Sequence, residues 1–173
     1  MEKYVPDIYQ KSIYTIDYDK LINRGIKCLL FDLDNTLVPY STKNSTPKIK
    51  ELFDSLKEKG FKILIFSNSP KNRVKIFKDE LEVDCCASAK KPSSKSFFNV
   101  MKEFKFTEND IAIIGDQLLT DILGGNKVGI TTILVNPIST NDPIWTKPGR
   151  FLENHIMNKL TNHDLFFKGR YYE

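Results

Sequence analysis

From residue 26 to residue 136 the chain alternates short apolar runs with longer stretches whose apolar residues recur every three or four positions. The runs are Cys28–Phe31, Phe61–Phe66, Val83–Ala87, Ile111–Ile114 and Thr131–Val135. A strand that is apolar at consecutive positions has both faces buried, which a sheet covered on two sides provides. Between the runs, Ile49, Leu52, Phe53 and Leu56 fall at i, i+3, i+4 and i+7, the apolar stripe of a helix. Thr46-Pro47 supplies an N-cap and a first helical residue, and Gly60 a stop. Further helices are expected over Lys71–Leu81, around Phe97, Met101 and Phe104, and over Leu118–Lys127. Strands joined through helices by right-handed crossovers make a parallel, doubly wound sheet. The predicted fold is an α/β, Rossmann-like domain with a mainly parallel five-stranded sheet. Residues 1–25 form an N-terminal extension. Residues 137–173 form a C-terminal segment, with a last helix over Gly149–Leu160. A chain of 173 residues is expected to make one domain from end to end.

Composition narrows the function classes. The net charge of +4, from 26 basic and 22 acidic residues, permits anionic substrates or a membrane surface, and no nucleic acid is expected. No apolar run approaches the roughly 20 residues of a membrane span. The start, Met1 to Asp7, lacks the apolar core of a signal peptide, so a cytoplasmic protein, peripheral to the membrane at most, is expected. Cys28, Cys85 and Cys86 show no disulfide or metal spacing, and His155 and His163 lie far along the chain; the cysteines are expected to be small buried hydrophobes.

Ligands of open parallel sheets bind outside the carboxyl ends of the strands. Here the first strand ends in Asp32-Leu33-Asp34-Asn35-Thr36, the second in Ser67-Asn68-Ser69 and the fourth in Gly115-Asp116, with Asp121 beyond; Lys90-Lys91-Pro92 follows the third. Taken singly, each has a plain alternative: a solvated loop, a turn and helix cap at Ser67-Asn68-Ser69-Pro70, a surface lysine, a helix-face aspartate. Together they bring carboxylates, a hydroxyl and an ammonium to one edge. Two carboxylates at i and i+2 repel unless a cation lies between them or one holds a proton. Asp32 can attack phosphorus as a nucleophile, and Asp34 can protonate the leaving alkoxide and then activate water. Asp32 and Asp116 can hold a hard cation such as Mg²⁺, and Ser67 and Lys91 can bind phosphoryl oxygens.

These residues, in this order, resemble the four motifs of the haloacid dehalogenase (HAD) superfamily. The resemblance covers about residues 26–136. Gly115-Asp116-Gln117-Leu118-Leu119-Thr120-Asp121-Ile122-Leu123-Gly124-Gly125-Asn126, with Pro6-Asp7-Ile8-Tyr9, Ser12-Ile13 and Thr132-Ile133-Leu134-Val135, is similar to the YqeG-like subgroup of HAD subclass IIIA. The resemblance implies a Mg²⁺-dependent phosphomonoester phosphatase working through an aspartyl-phosphate. Asp32 is then the nucleophile and Asp34 the general acid/base. Ser67, Asn68 and Lys91 bind phosphate, Asp32, Asp34 (by its carbonyl) and Asp116 hold the metal, and Asp121 supports it. Eukaryotic members of the subgroup act on phosphatidylglycerophosphate, the substrate expected first; a protein, nucleotide or sugar phosphate is the alternative. A receiver-type signalling domain or a binding protein on a decayed phosphatase fold are the readings from other classes. The first lacks a residue in the role of Asp34, and the second would not keep every catalytic group.

One helix lies between Asp32 and Ser67, and one helix and a strand between Ser67 and Lys91, so neither interval has room for a cap domain. Such a site is open to a large substrate such as a lipid headgroup, unless a partner subunit in a homo-oligomer covers it. The extension carries Tyr4, Val5, Ile8, Tyr9, Ile13, Tyr14, Ile16 and Tyr18 with Lys3 and Lys11. Packing along the domain or against another subunit is the first expectation for it, and contact with a bilayer interface the second.

Overall fold

The structure is a computed structural model that describes residues 1–139, 141 and 143–173. Its strands are β1 (Ile8–Gln10), β2 (Cys28–Phe31), β3 (Lys62–Phe66), β4 (Asp84–Cys86), β5 (Ile111–Gly115) and β6 (Thr131–Val135). Its α-helices are α1 (Tyr18–Asn23), α2 (Pro47–Glu58), α3 (Lys71–Leu81), α4 (Lys95–Phe104), α5 (Leu123–Val128) and α6 (Lys147–Asn162). Among the described residues the strands form one sheet in the order β1-β6-β5-β2-β3-β4, with every pair parallel. The chain leaves β2 toward β3 on one side and returns to β5 on the other. That reversal opens a crevice at the carboxyl end of β2, where doubly wound sheets bind ligands.

Alternate residues of each strand face opposite layers. Leu29, Phe31, Ile63, Ile65, Ala112 and Ile114 pack with Leu21, Ile49, Phe53, Val74 and Phe77 from α1, α2 and α3. Cys28, Leu30, Leu64, Phe66, Ile111 and Ile113 pack with Phe97 and Val100 of α4. The predicted caps hold locally: Thr46 accepts a hydrogen bond from the Ile49 amide at 3.3 Å, and Gly60 ends the α2 turn at φ +97°.

The sheet has six strands where five are expected. The extra strand comes from the N-terminal extension: Ile8-Tyr9-Gln10 pairs with Ile133-Leu134-Val135. Three residues are too few to show a strand period, and what fixes them is remote. Asp7 Oδ2 accepts from the Thr132 amide at 2.8 Å, and Asn126 Nδ2 donates to the carbonyls of Lys3 and Val5 at 2.9 and 3.0 Å. Ile8, Tyr9, Ile13, Ile16 and Tyr18 are buried, so the extension packs along the domain; Tyr4 and Val5 are half-buried and Tyr14 is exposed. The carboxyl-terminal tail covers the free edge of β1, with Tyr9 and Tyr172 exchanging backbone hydrogen bonds of 2.9 Å.

One further expectation is refined and one is corrected. The helix predicted over Leu118–Lys127 is a π-helical turn, Leu118–Ile122, followed by α5. The Asp121 and Ile122 amides both donate to the Gln117 carbonyl, and the buried Glu153 carboxylate accepts from the Leu118 amide, widening the first turn. Cys28 is buried as expected, but Cys85 and Cys86 are only partly buried because β4 is an edge strand; all three are free thiols. No helix among the described residues is long and apolar enough to cross a membrane.

Candidate active site

Asp32 directly follows β2, and its amide donates to the Ile114 carbonyl at 2.9 Å, extending the ladder by one residue. Its carboxylate is thereby fixed at the strand end. Asp34 sits on the following turn, closed by the Asn35 amide on the Val38 carbonyl at 2.7 Å, with Asn35 in the left-handed region at φ 62°. Ser67 follows β3, and its hydroxyl accepts from the Ser69 amide at 3.0 Å. Asn68 clamps the lysine loop: its Oδ1 accepts from the Lys91 amide at 2.7 Å and its Nδ2 donates to the Lys91 carbonyl at 3.1 Å. Asp32, Asp34, Ser67, Asn68 and Lys91 line one cleft of about 350 Å³.

Lys91 is the hub of the cleft floor. Its side chain is 2% exposed, and Nζ donates to Asp32 Oδ1 at 2.8 Å, Asp121 Oδ1 at 2.6 Å and the Phe66 carbonyl at 2.9 Å. All three ammonium protons are therefore used. Burial alone would lower its pKa, but the Asp121 and Asp32 carboxylates outweigh that and hold it above the ordinary lysine range. Burial pushes Asp32 the other way, up to about 7, against the pull of Lys91. Burial also raises Asp116 well above the carboxylate range, with Asp32 adding to the rise and Arg150 opposing it.

Asp116 and Asp121 lie behind the cleft, and oxygens of Asp32, Asp116 and Asp121 all fall within 4.8 Å of one another. Gly115 makes this possible. A Cβ there would lie 2.2 Å from the Asp121 carboxyl carbon, so only glycine lets Asp121 fold back against β5. Three buried carboxylates so close are a poor arrangement for bare charges and a good one for a hard divalent cation.

The strand ends thus bring together every residue singled out in the sequence. They act with partners that the sequence reading missed. Arg73 of α3 donates through Nε and Nη2 to Asp34 Oδ1 at 3.0 and 2.7 Å and through Nη1 to the Thr42 carbonyl at 2.8 Å, while Ser69 Oγ donates to Asp34 Oδ2. Arg150 of α6 donates to Asp116 Oδ2 at 2.7 Å and to Glu153 at 3.1 Å. Thr36 donates to Asp116 Oδ1 at 3.1 Å. Arg73 had one available signal, its place in the first turn of the helix after the Ser67 loop. Arg150 had none, because its segment lies outside the strand–helix alternation.

Residues 1–139 match the family described as mitochondrial PGP phosphatase. The chain is 40% identical over 157 residues to the Bacillus subtilis (strain 168) protein named Probable phosphatase YqeG, covering 91% of each. It is 28% identical over 171 residues to the Arabidopsis thaliana phosphatidylglycerophosphate phosphatase 1, chloroplastic/mitochondrial, covering 90% of this chain and 47% of that protein. The chain therefore spans about half of the plant relative. Among solved structures, the cobalt-bound deoxy-D-mannose-octulosonate 8-phosphate phosphatase of Haemophilus influenzae superposes with a TM-score of 0.55 at 18% identity, over 75% of this chain and 76% of that one. The Moraxella catarrhalis 3-deoxy-D-manno-octulosonate 8-phosphate phosphatase, in complex with a magnesium ion, a phosphate ion and a KDO molecule, does so with 0.55 at 18%, over 69% and 74%. At that identity these two likenesses speak for the fold.

Proposed function

This chain belongs to the mitochondrial PGP phosphatase family and is a YqeG-like HAD phosphatase, a phosphoric monoester hydrolase, and from that premise we propose how its residues divide the reaction. An Asp32 carboxylate oxygen attacks phosphorus, and the bond to the ester oxygen breaks as that oxygen takes a proton from Asp34. The product alcohol departs and leaves an aspartyl-phosphate. Asp34 then removes a proton from water, whose oxygen attacks phosphorus and releases Asp32 and inorganic phosphate. Ser67 binds a phosphoryl oxygen with its hydroxyl, and Lys91 does so by turning the N–H that rests on Asp32 to the phosphoryl group as the substrate enters. Asn68 contributes its backbone N–H, its amide group being committed to Lys91. Arg73 and Ser69 orient Asp34 from either side.

We read the metal as Mg²⁺, held by Asp32, Asp116 and the carbonyl of Asp34, with Asp121 behind. Bound there, it would offset the negative charge that nucleophile and phosphate bring together. What supports the reading is the hard, all-oxygen, buried donor set. We read residues 1–173 as one phosphatase domain without a cap, since the extension and tail are built into the sheet edge.

The observation that carries the proposal is the buried Lys91 ammonium bridging Asp32 and Asp121 at the floor of the cleft that Asp34 and Ser67 line. Asp32→Asn is expected to abolish turnover with the far-ultraviolet circular dichroism unchanged; undiminished hydrolysis would remove Asp32 as nucleophile. The substrate we propose is phosphatidylglycerophosphate, on the strength of the family and of a cleft open to a large headgroup. Presented in mixed micelles with Mg²⁺, it should be cleaved faster than sugar or nucleotide phosphates; the reverse order would overturn this choice.

A further inference from the structure

Among the described residues, four large apolar side chains stand exposed within 138–152: Ile138 is 51% exposed, Ile144 77%, Phe151 78% and Leu152 50%. They are not scattered. Ile144 opens a short 3₁₀ turn, Ile144–Thr146, that runs straight into α6 at Lys147. The same turn borders the catalytic cleft, because Pro143 and Thr146 line it. The first turn of α6 is tied to the site as well, through Arg150 on Asp116. Opposite its exposed Phe151, with Leu152 at the border between the two sides, α6 buries Glu153, Ile156 and Leu160 against the domain.

Exposed charge on α6 is basic. The only acid in α6 is Glu153, and it is buried. The exposed positions on the outer side include Lys147 and Lys159, and no other residue of α6 carries a carboxylate. A surface helix that shows phenylalanine and leucine beside lysine, with no exposed acid, suits the interface of an anionic bilayer. Water-exposed apolar side chains gathered at the mouth of a site call for a partner. The N-terminal extension offers no comparable patch, since most of its apolar residues are buried and its strand is part of the sheet.

We propose that the 3₁₀ turn Ile144–Thr146 and the outer face of the first half of α6 dock on the surface of an anionic lipid bilayer and hold the cleft against the headgroup layer. This rests on the lipid-phosphate reading of the site. It answers how an uncapped cleft selects its substrate: only a phosphomonoester displayed at a membrane surface would meet the cleft at high local concentration.

Vesicle flotation tests it. The intact protein is expected to float with phosphatidylcholine vesicles containing phosphatidylglycerol and to remain in solution with phosphatidylcholine alone. The double variant Ile144→Ser, Phe151→Ser is expected to lower the partition coefficient at least about tenfold. Its hydrolysis of soluble p-nitrophenyl phosphate should match the intact protein. Ile22→Ser, on α1 beside the amino ends of the strands, should float like the intact protein. Failure of the intact protein to float, or equal flotation of the double variant, overturns the inference. So does concentration-dependent dimerisation in sedimentation that the double variant abolishes, which would make the face a contact between copies. Flotation without cleavage of phosphatidylglycerophosphate in micelles would instead remove the proposed substrate and leave the docking face standing.

Discussion

Two sets of residues build the site, and they differ in how the chain delivers them. Asp32, Asp34, Ser67, Lys91, Asp116 and Asp121 follow strand ends or the loops and turn just after them, so the sheet itself sets their spacing. Arg73 and Arg150 come from the first turns of α3 and α6 and reach inward with long side chains. The strand-borne set is the more buried and carries the proposed chemistry. The helix-borne set balances its charge, one arginine on Asp34 and the other on Asp116. A crowded set of carboxylates is thus assembled by the rigid part of the fold, and its repulsion is relieved by parts that can be altered with less damage.

That contrast predicts unequal costs of mutation. Lys91→Met should have the largest effect, since it leaves Asp32 and Asp121 buried without their shared partner. Breaking a buried ion pair from one side costs about 3–5 kcal/mol. The urea midpoint should fall accordingly and turnover should vanish; a midpoint within error of the parent would show that Lys91 is not the hub of the floor. Gly115→Ala should come next. Its Cβ would meet the Asp121 carboxyl group, which Lys91 holds in place, so the cost is that of an overpacked core, about 1–3 kcal/mol. A weakened response of the melting temperature to added Mg²⁺ would report the displaced Asp121.

The same division explains what could be read from the sequence. The apolar runs at Cys28–Phe31 and Ile111–Ile114 mark the strands, and strand ends mark the site, so Asp32, Asp34 and Asp116 are legible from local pattern. Strand β1 is not, because Ile8-Tyr9-Gln10 owes its conformation to Thr132, Asn126 and the tail at Tyr172. The π-helical turn is hidden for the same reason: Glu153, far along the chain, bonds its first amide. Arg150 is invisible, and Arg73 offers only its place after the Ser67 loop, because an arginine in a first helical turn is ordinary until packing shows where its guanidinium lands.

Arg73→Gln sharpens the comparison on the helix-borne side. The substitution leaves Asp34 in place but removes two of the donors that orient it. Loss of orientation should lower kcat on an alkyl phosphate by about ten- to a hundredfold, short of the roughly 10²–10⁴ that a whole general acid supplies. An aryl phosphate, whose leaving group needs little protonation, should be affected far less. Equal losses on both substrates would mean that Arg73 acts on phosphate binding instead. Arg73→Lys should recover only part of the rate, since an ammonium cannot reach Asp34 and the Thr42 carbonyl with the same planar fork.

The smallest effect is the one that pH exposes. The folded protein raises Asp32 from 3.8 to about 7, and burial raises Asp116 and Glu153 as well. A carboxyl group with a raised folded pKa keeps its proton in the native state after the unfolded chain has released its own. Stability therefore falls as pH climbs from the unfolded value toward the folded one. Carboxylates with lowered values, such as Asp79, Glu80 and Asp110, act in the opposite direction, but they titrate below their ordinary range and are ionised in both states above pH 5. Between pH 5 and 7 the buried cluster should dominate. With EDTA present the protein should lose on the order of 1 kcal/mol across that window, a fall in Tm of about 2–4 °C. Added Mg²⁺ should flatten the slope, because a cation favours the ionised carboxylates and removes the difference between folded and unfolded proton uptake. Asp32→Asn should flatten it without Mg²⁺. A slope that survives both changes would place the titrating groups outside the cluster, and with them the charge conflict that Arg150 and Lys91 are positioned to relieve.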